Sequence, residues 1–195
     1  MSVESKTQRY NQLYYPLIAV GLYSSLSIFP SVSAIWTEWT WFNLHPLVMS
    51  LAFVPLSGMA TLLKKIGGYE NTKTHGLLLS LSAWLAGFGL YVIYSNKEAR
   101  GAPHFQTTHG QLGLAVVVAY FGLMLFGGLL LHPDFGLPAY RSNATLRAVH
   151  KYFGRLVMAL AWFTVFTGYS TVQREVTWQA ALALPLLGMS YFVLL

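Results

Sequence analysis

The sequence predicts an all-α membrane protein with six transmembrane helices, and three observations carry that prediction. Of 195 residues, 55% are hydrophobic and only 9% are charged, against about 25% charged in an ordinary soluble domain. The few charges are clustered and leave six charge-free runs, 10–37, 39–63, 74–96, 101–133, 156–173 and 176–195. Each run approaches or exceeds the roughly 20 apolar residues that cross a hydrocarbon core. Finally, the basic residues are distributed unequally between alternate loops. A soluble core of six buried helices is excluded, because almost nothing amphipathic is left to face water.

The elements follow in order. Residues 1–14, "MSVESKTQRYNQLY", form a polar leader. The run after it is too long for a signal-peptide core and lacks a small-residue cleavage site, so it reads as a retained first helix. Residues 15–195 then make one six-helix domain without a linker or a second unit. Trp36, Trp39, Trp41 and Phe42 cluster where the second helix meets the interface, as an aromatic belt does. The connections "KKIGGYENTKT" and "NKEARGAPHFQT" set off the third and fourth helices. In "LLLHPDFG", His132 with Pro133 and Asp134 reads as the end of the fourth helix.

Six crossings place both termini and the second and fourth loops on one face. That face carries Lys6, Arg9, Lys64, Lys65, Lys73, Arg141, Arg147, Lys151 and Arg155, and the other only Lys97, Arg100 and Arg174. The positive-inside rule therefore puts both termini in the cytosol. The sequon Asn143-Ala144-Thr145 lies on that face and is expected to carry no glycan. Cysteine is absent, which excludes disulfides and thiolate ligands. The net charge of +6 comes without any basic motif interleaved with aromatics, so nucleic acid is not an expected partner.

Four of the six histidines, His45, His75, His109 and His150, stand near the N-terminal ends of four successive helices, the second to the fifth. An ionisable group at membrane depth is costly and marks a functional site by default. Neighbouring helices run in opposite directions, so the four starting points alternate between faces. His45 and His109 fall near the non-cytosolic face, His75 and His150 near the cytosolic one. Each face thus receives two imidazoles, and no carboxylate or cysteine lies nearby to complete a zinc site. Haem iron needs two axial ligands, which a histidine pair on facing helices supplies. Gly113 follows His109 by four residues and Gly154 follows His150 by four, one turn deeper on the ligand's own face, where they leave room for a flat macrocycle. An iron ligated on both sides transfers electrons and has no position for oxygen.

The segments "NLHPLVMSLAF", "KTHGLLLSL", "PHFQTTHGQLG" and "AVHKYFGRL" resemble the four ligand segments of the cytochrome b561 family, most closely its short, single-domain, six-helix members. The resemblance covers residues 42–173. It implies a four-helix bundle from helices 2–5 with two haem b groups, one held by His45 and His109 and one by His75 and His150. It also implies electron transfer from cytosolic ascorbate to monodehydroascorbate or ferric chelates across the bilayer, in an endomembrane or the plasma membrane. An ascorbate anion requires cations near the cytosolic pair, and Lys73, Arg147, Lys151 and Arg155 are the candidates there. On the other face the candidates for the acceptor are Lys97, Arg100, His104 and Phe105; for His104 and Phe105 the resemblance implies that role. A haem-bearing accessory or relay subunit of a larger complex, without ascorbate reductase activity of its own, is the competing reading. A histidine proton relay is disfavoured because no ionisable residue joins the two levels. The sequence leaves a homodimer open.

Overall fold

The computed structural model describes residues 39–172 and 174–194, with scattered helical positions between 8 and 22. Apart from those positions, the predicted leader and first crossing lie outside the described residues. Five long helices make up the rest: α1 Trp41–Ile66, α2 Tyr69–Glu98, α3 Thr108–Leu131, α4 Ala144–Val172 and α5 Val176–Leu194. No strand occurs among the described residues.

α1 opens with a 3-10 turn in which the buried Asn43 carboxamide oxygen accepts from the Thr40 backbone N–H at 3.2 Å. Pro55 lies inside the helix. Proline has no N–H and cannot sit in an uninterrupted ladder, and the chain absorbs it in a widened π turn over Ala52–Leu56. α1 stops at Gly67 and Gly68, whose φ values of 84° and 97° need residues without a Cβ; α2 begins at the next residue. α3 is capped by the Thr107 hydroxyl, which accepts from Gly110 N–H at 3.1 Å. It also ends in a π turn, Gly127–Leu131. The Asn143 side chain caps α4 by accepting from Leu146 N–H at 3.0 Å.

α1, α2 and α3 are each long and apolar enough to cross a membrane. α4 has 29 residues, but its first half carries Arg147, Lys151 and Arg155. α2 and α4 both begin well before the charge-free runs they contain. His75 and His150 therefore lie about two turns inside their helices, whereas His109 is the second residue of α3.

Consecutive helices pack side by side, α1 also packs against α4, and α5 lies outside this ring against α1 and α4. Small residues let the backbones approach closely. Ala52, Ala83, Ala86 and Ala161 are fully buried at the centre, with Phe53, Val116, Val157 and Tyr120 between them. The Tyr120 hydroxyl is hydrogen-bonded with Ser57 and Ser82, and both serines donate to Ala52 O at 2.7 and 2.8 Å. This buried polar knot ties α3 and α2 to the π turn of α1. Trp162 Nε1 donates to Phe53 O at 2.8 Å and fastens α4 to the same turn.

Candidate functional site

Each of the first four helices packs its histidine against its antiparallel neighbour, and three of the four rings reach a backbone carbonyl there. His45 Nδ1 lies 2.8 Å from Gly89 O on α2, and His75 Nδ1 lies 2.9 Å from Ala60 O on α1. The second hairpin repeats the pattern: His109 Nδ1 is 3.1 Å from Thr164 O on α4. His150 in turn packs on α3, stacked on Phe126 with centroids 5.9 Å apart and planes 8° from parallel. Its Nδ1 is buried and has no hydrogen-bond partner among the described residues. A carbonyl can only accept, so His45, His75 and His109 must carry a proton on Nδ1, and in the neutral ring Nε2 is then bare. That is the tautomer a metal ligand requires, with the carbonyl as the group that orients the ring.

The His45 and His109 rings stand 6.3 Å apart, centroid to centroid, and nearly perpendicular. An imidazole–metal bond of about 2.0–2.1 Å, with a ring radius of roughly 1.1 Å, puts the centroids of two collinear ligands about 6.3 Å apart. The observed centroid separation matches that spacing. The pair lines an open cleft walled by Met49, Phe53, Val117 and Val165 among others. The cleft is mostly apolar with a few polar groups, as cofactor and small-molecule sites are. Haem suits this donor set; among the described residues no cluster of three or more metal-binding side chains offers a different site.

His75 and His150 lie near each other at the opposite end of the bundle. Lys64, at the end of α1, acts on both. The sequence places Lys64 among the basic residues of the cytosolic end, but nothing local shows that the Gly67–Gly68 reversal brings it back beside His75.

Gly113 lines the upper cleft, and a Cβ there would meet Thr164 Cγ2 at 3.6 Å; one at Gly154 would meet nothing within 4 Å. Two glycines that sequence reasoning did not single out lie closer to the rings. A Cβ on Gly168 would stand 2.5 Å from His109 Cε1, and one on Gly127 2.9 Å from His150 Cε1. Both belong to the partner helix, so only the register of α3 against α4 reveals them.

Lys97, His104 and Phe105 line the mouth of the upper cleft; Arg100, in the turn after α2, is not among its lining residues. His104 stacks on Tyr94 at 4.2 Å and its Nε2 lies 2.6 Å from a Glu98 carboxylate oxygen. Phe105 holds a φ of 52°, rare outside glycine, and its carbonyl accepts from the Gln111 side chain. Lys97 donates to Pro103 O at 2.8 Å. Gly110 packs closely where the loop enters α3: a Cβ there would stand 3.3 Å from the Thr107 hydroxyl and 3.5 Å from Phe105 Cα.

At the other end, Lys73 sits 3.6 Å from the Asp134 carboxylate and 5.0 Å from the Tyr69 ring centroid. The Tyr69 hydroxyl donates to Asp134. That hydrogen bond, helped by Lys73, holds the Asp134 carboxyl below its usual range. Lys151 and Arg155 flank the Tyr152 ring, and Arg147 donates to Arg141 O. The structure thus gathers the four predicted cations at the end that holds His75 and His150. His132 does end α3: its Nδ1 accepts from the N–H groups of Asp134 and Phe135.

Fold and site together define an integral membrane protein built of helices, with two histidines toward each end of a bundle. The sequence profile of eukaryotic cytochrome b561 matches residues 44–174, and the chain belongs to that family. Membership implies b-type haem. Among individual relatives, the chain is 28% identical over 138 residues to the transmembrane ascorbate-dependent reductase CYB561 of Sus scrofa, covering 68% of this chain and 54% of that protein. It is 35% identical over 101 residues to the transmembrane reductase CYB561D2 of Mus musculus, covering 47% and 45%. The chain spans about half the length of the curated relatives it matches.

Proposed function

We propose that the chain carries single electrons across a membrane, from cytosolic ascorbate to monodehydroascorbate or ferric chelates on the other side. One haem b is assigned to His45 and His109 and a second to His75 and His150, in a bundle whose termini are cytosolic. The observation that carries this reading is the His45–His109 pair, two imidazoles 6.3 Å apart whose Nδ1 atoms are both turned to backbone carbonyls. A haem held by two imidazoles supplies reversible one-electron chemistry and leaves no iron position open to oxygen. The alanine-rich layer around Phe53 and Tyr120 keeps the space between the two levels dry. Lys64, Lys73, Arg147, Lys151 and Arg155 make the cytosolic end attractive to an ascorbate anion. His104 and Phe105, held by Glu98, Tyr94 and Gln111, present a rigid edge to the acceptor at the cleft mouth.

One observation favours the relay-subunit reading: Lys73 is already engaged by Asp134. A single experiment separates the two. The protein is purified in detergent, haem per chain is quantified, and spectra are taken before and after ascorbate. Two haems largely reduced by ascorbate are expected. Two haems that respond only to dithionite establish the relay reading, and a folded protein without haem removes both. His104→Ala is expected to slow acceptor reduction with both haems retained; loss of a haem in that variant refutes the acceptor role.

A further inference from the structure

The upper cleft contains a polar atom that the assignments above leave unused. Tyr169 lines it from α4, on the same helix face as Val165 and Val172. Its hydroxyl is buried and has no hydrogen-bond partner among the described residues. The nearby hydroxyls are committed to the backbone: Thr164 donates to Leu160 O and Thr171 to Gly168 O, both at 2.7 Å, and Thr107 caps α3. Buried polar groups are rarely left unmatched, because the lost hydration is not recovered, and an exception in a binding cleft points to an absent partner. The charge of the walls indicates its kind. Lys97 is among the lining residues and no aspartate or glutamate is.

We infer that the Tyr169 hydroxyl donates a hydrogen bond to an oxyanion of the molecule that occupies the upper cleft. This rests on the haem reading above. The oxyanion is a carboxylate of the haem or one on an anionic electron acceptor that reaches down from the mouth. Both present the same chemistry to a phenol, and they differ in what is lost when the hydroxyl is removed.

Tyr169→Phe deletes one oxygen and keeps the ring, so packing against the apolar cluster that includes Val54 and Trp162 is retained. The full-length protein in detergent is mixed with a haem-scavenging apoprotein, and loss of each haem is followed spectroscopically. If the partner is the haem carboxylate, the upper-site haem leaves at least about tenfold faster, as expected for a hydrogen bond to a charged group. The lower-site haem is unaffected. If the partner is on the acceptor, haem loss is unchanged and KM for ferric citrate rises by about the same factor at constant kcat. Either result supports the inference. Unchanged haem retention and unchanged KM overturn it. So does Tyr169→Phe lowering the thermal midpoint equally in a His109→Ala background, where the upper site is empty, because the partner then lies within the chain. Wild-type protein without haem tells against the haem reading itself, a failure visible before any variant is made.

Discussion

The two helical hairpins, α1 with α2 and α3 with α4, use one plan and differ in how tightly each ring is held. In the first, both imidazoles are tied to a carbonyl of the neighbouring helix. In the second, His109 is tied and His150 is not, though both rings lie against a partner-helix glycine. The π turn at Gly127–Leu131 begins where His150 meets α3. A π turn shifts the carbonyls of one turn out of the regular ladder. The difference teaches that ring position and ring anchorage are separate properties: packing places all four rings, and backbone register decides which Nδ1 finds an acceptor. The upper pair is doubly anchored, the lower pair singly.

The largest expected effect breaks one level and spares the other. His109→Ala and His75→Ala should each lower haem content from two per chain to one, measured by haemochrome assay. The remaining spectrum should differ between the two variants, and both should abolish electron transfer across vesicles that contain ascorbate. Loss of both haems from either single variant would show that the levels do not fold independently.

A smaller effect sharpens the anchorage argument. Gly168→Ala drives a methyl to 2.5 Å from His109 Cε1, and that ring cannot retreat without giving up its bond to Thr164 O. Gly127→Ala drives one to 2.9 Å from His150, which has no such bond to lose. Overpacking of this kind costs roughly 1–3 kcal/mol. Gly168→Ala should sit at the upper end of that range and release the upper haem; Gly127→Ala should sit lower, with Gly188→Ala on α5, where a Cβ meets nothing within 4 Å, as the neutral control. Thermal midpoints and haem retention of the three variants give the order. A Gly127→Ala protein as damaged as Gly168→Ala would mean that His150 is held as firmly as His109.

This ordering bears on what could be read from residues alone. The helical class was legible because it depends on composition, and the alternation of the four histidines between the two ends of the bundle because it depends on the parity of antiparallel neighbours. Gly127 and Gly168 were not, since each matters through a ring on another helix and the α3–α4 register is a tertiary fact. Nor was Lys64: its proximity to both lower histidines depends on the reversal at Gly67 and Gly68. The positive φ of Phe105 was hidden for a different reason, as nothing in "PHFQT" demands a left-handed residue without the capping of α3 behind it.

The smallest expected effect concerns the cations at the lower level, where anchorage is weakest. Asp134 engages Lys73 and the Tyr69 hydroxyl, and its carboxyl is held below the usual range chiefly by that hydroxyl. A carboxyl depressed on folding adds stability that is fully present above its unfolded value of about 3.9 and disappears as pH falls through the folded value. The thermal midpoint of the wild type should therefore be insensitive to this group between about pH 5 and 8 and fall below about pH 4. Asp134→Asn should lower the midpoint slightly near neutrality, and the difference should shrink as the wild type is acidified. The group is exposed, so the change should be small. The same variant releases Lys73. If Lys73 helps to receive ascorbate, KM for ascorbate should fall by about two- to threefold, the scale of a solvent-screened charge contact. An unchanged KM would assign Lys73 to fastening α2 against the α3–α4 loop, and leave Lys64, Lys151 and the α4 arginines to receive the anion.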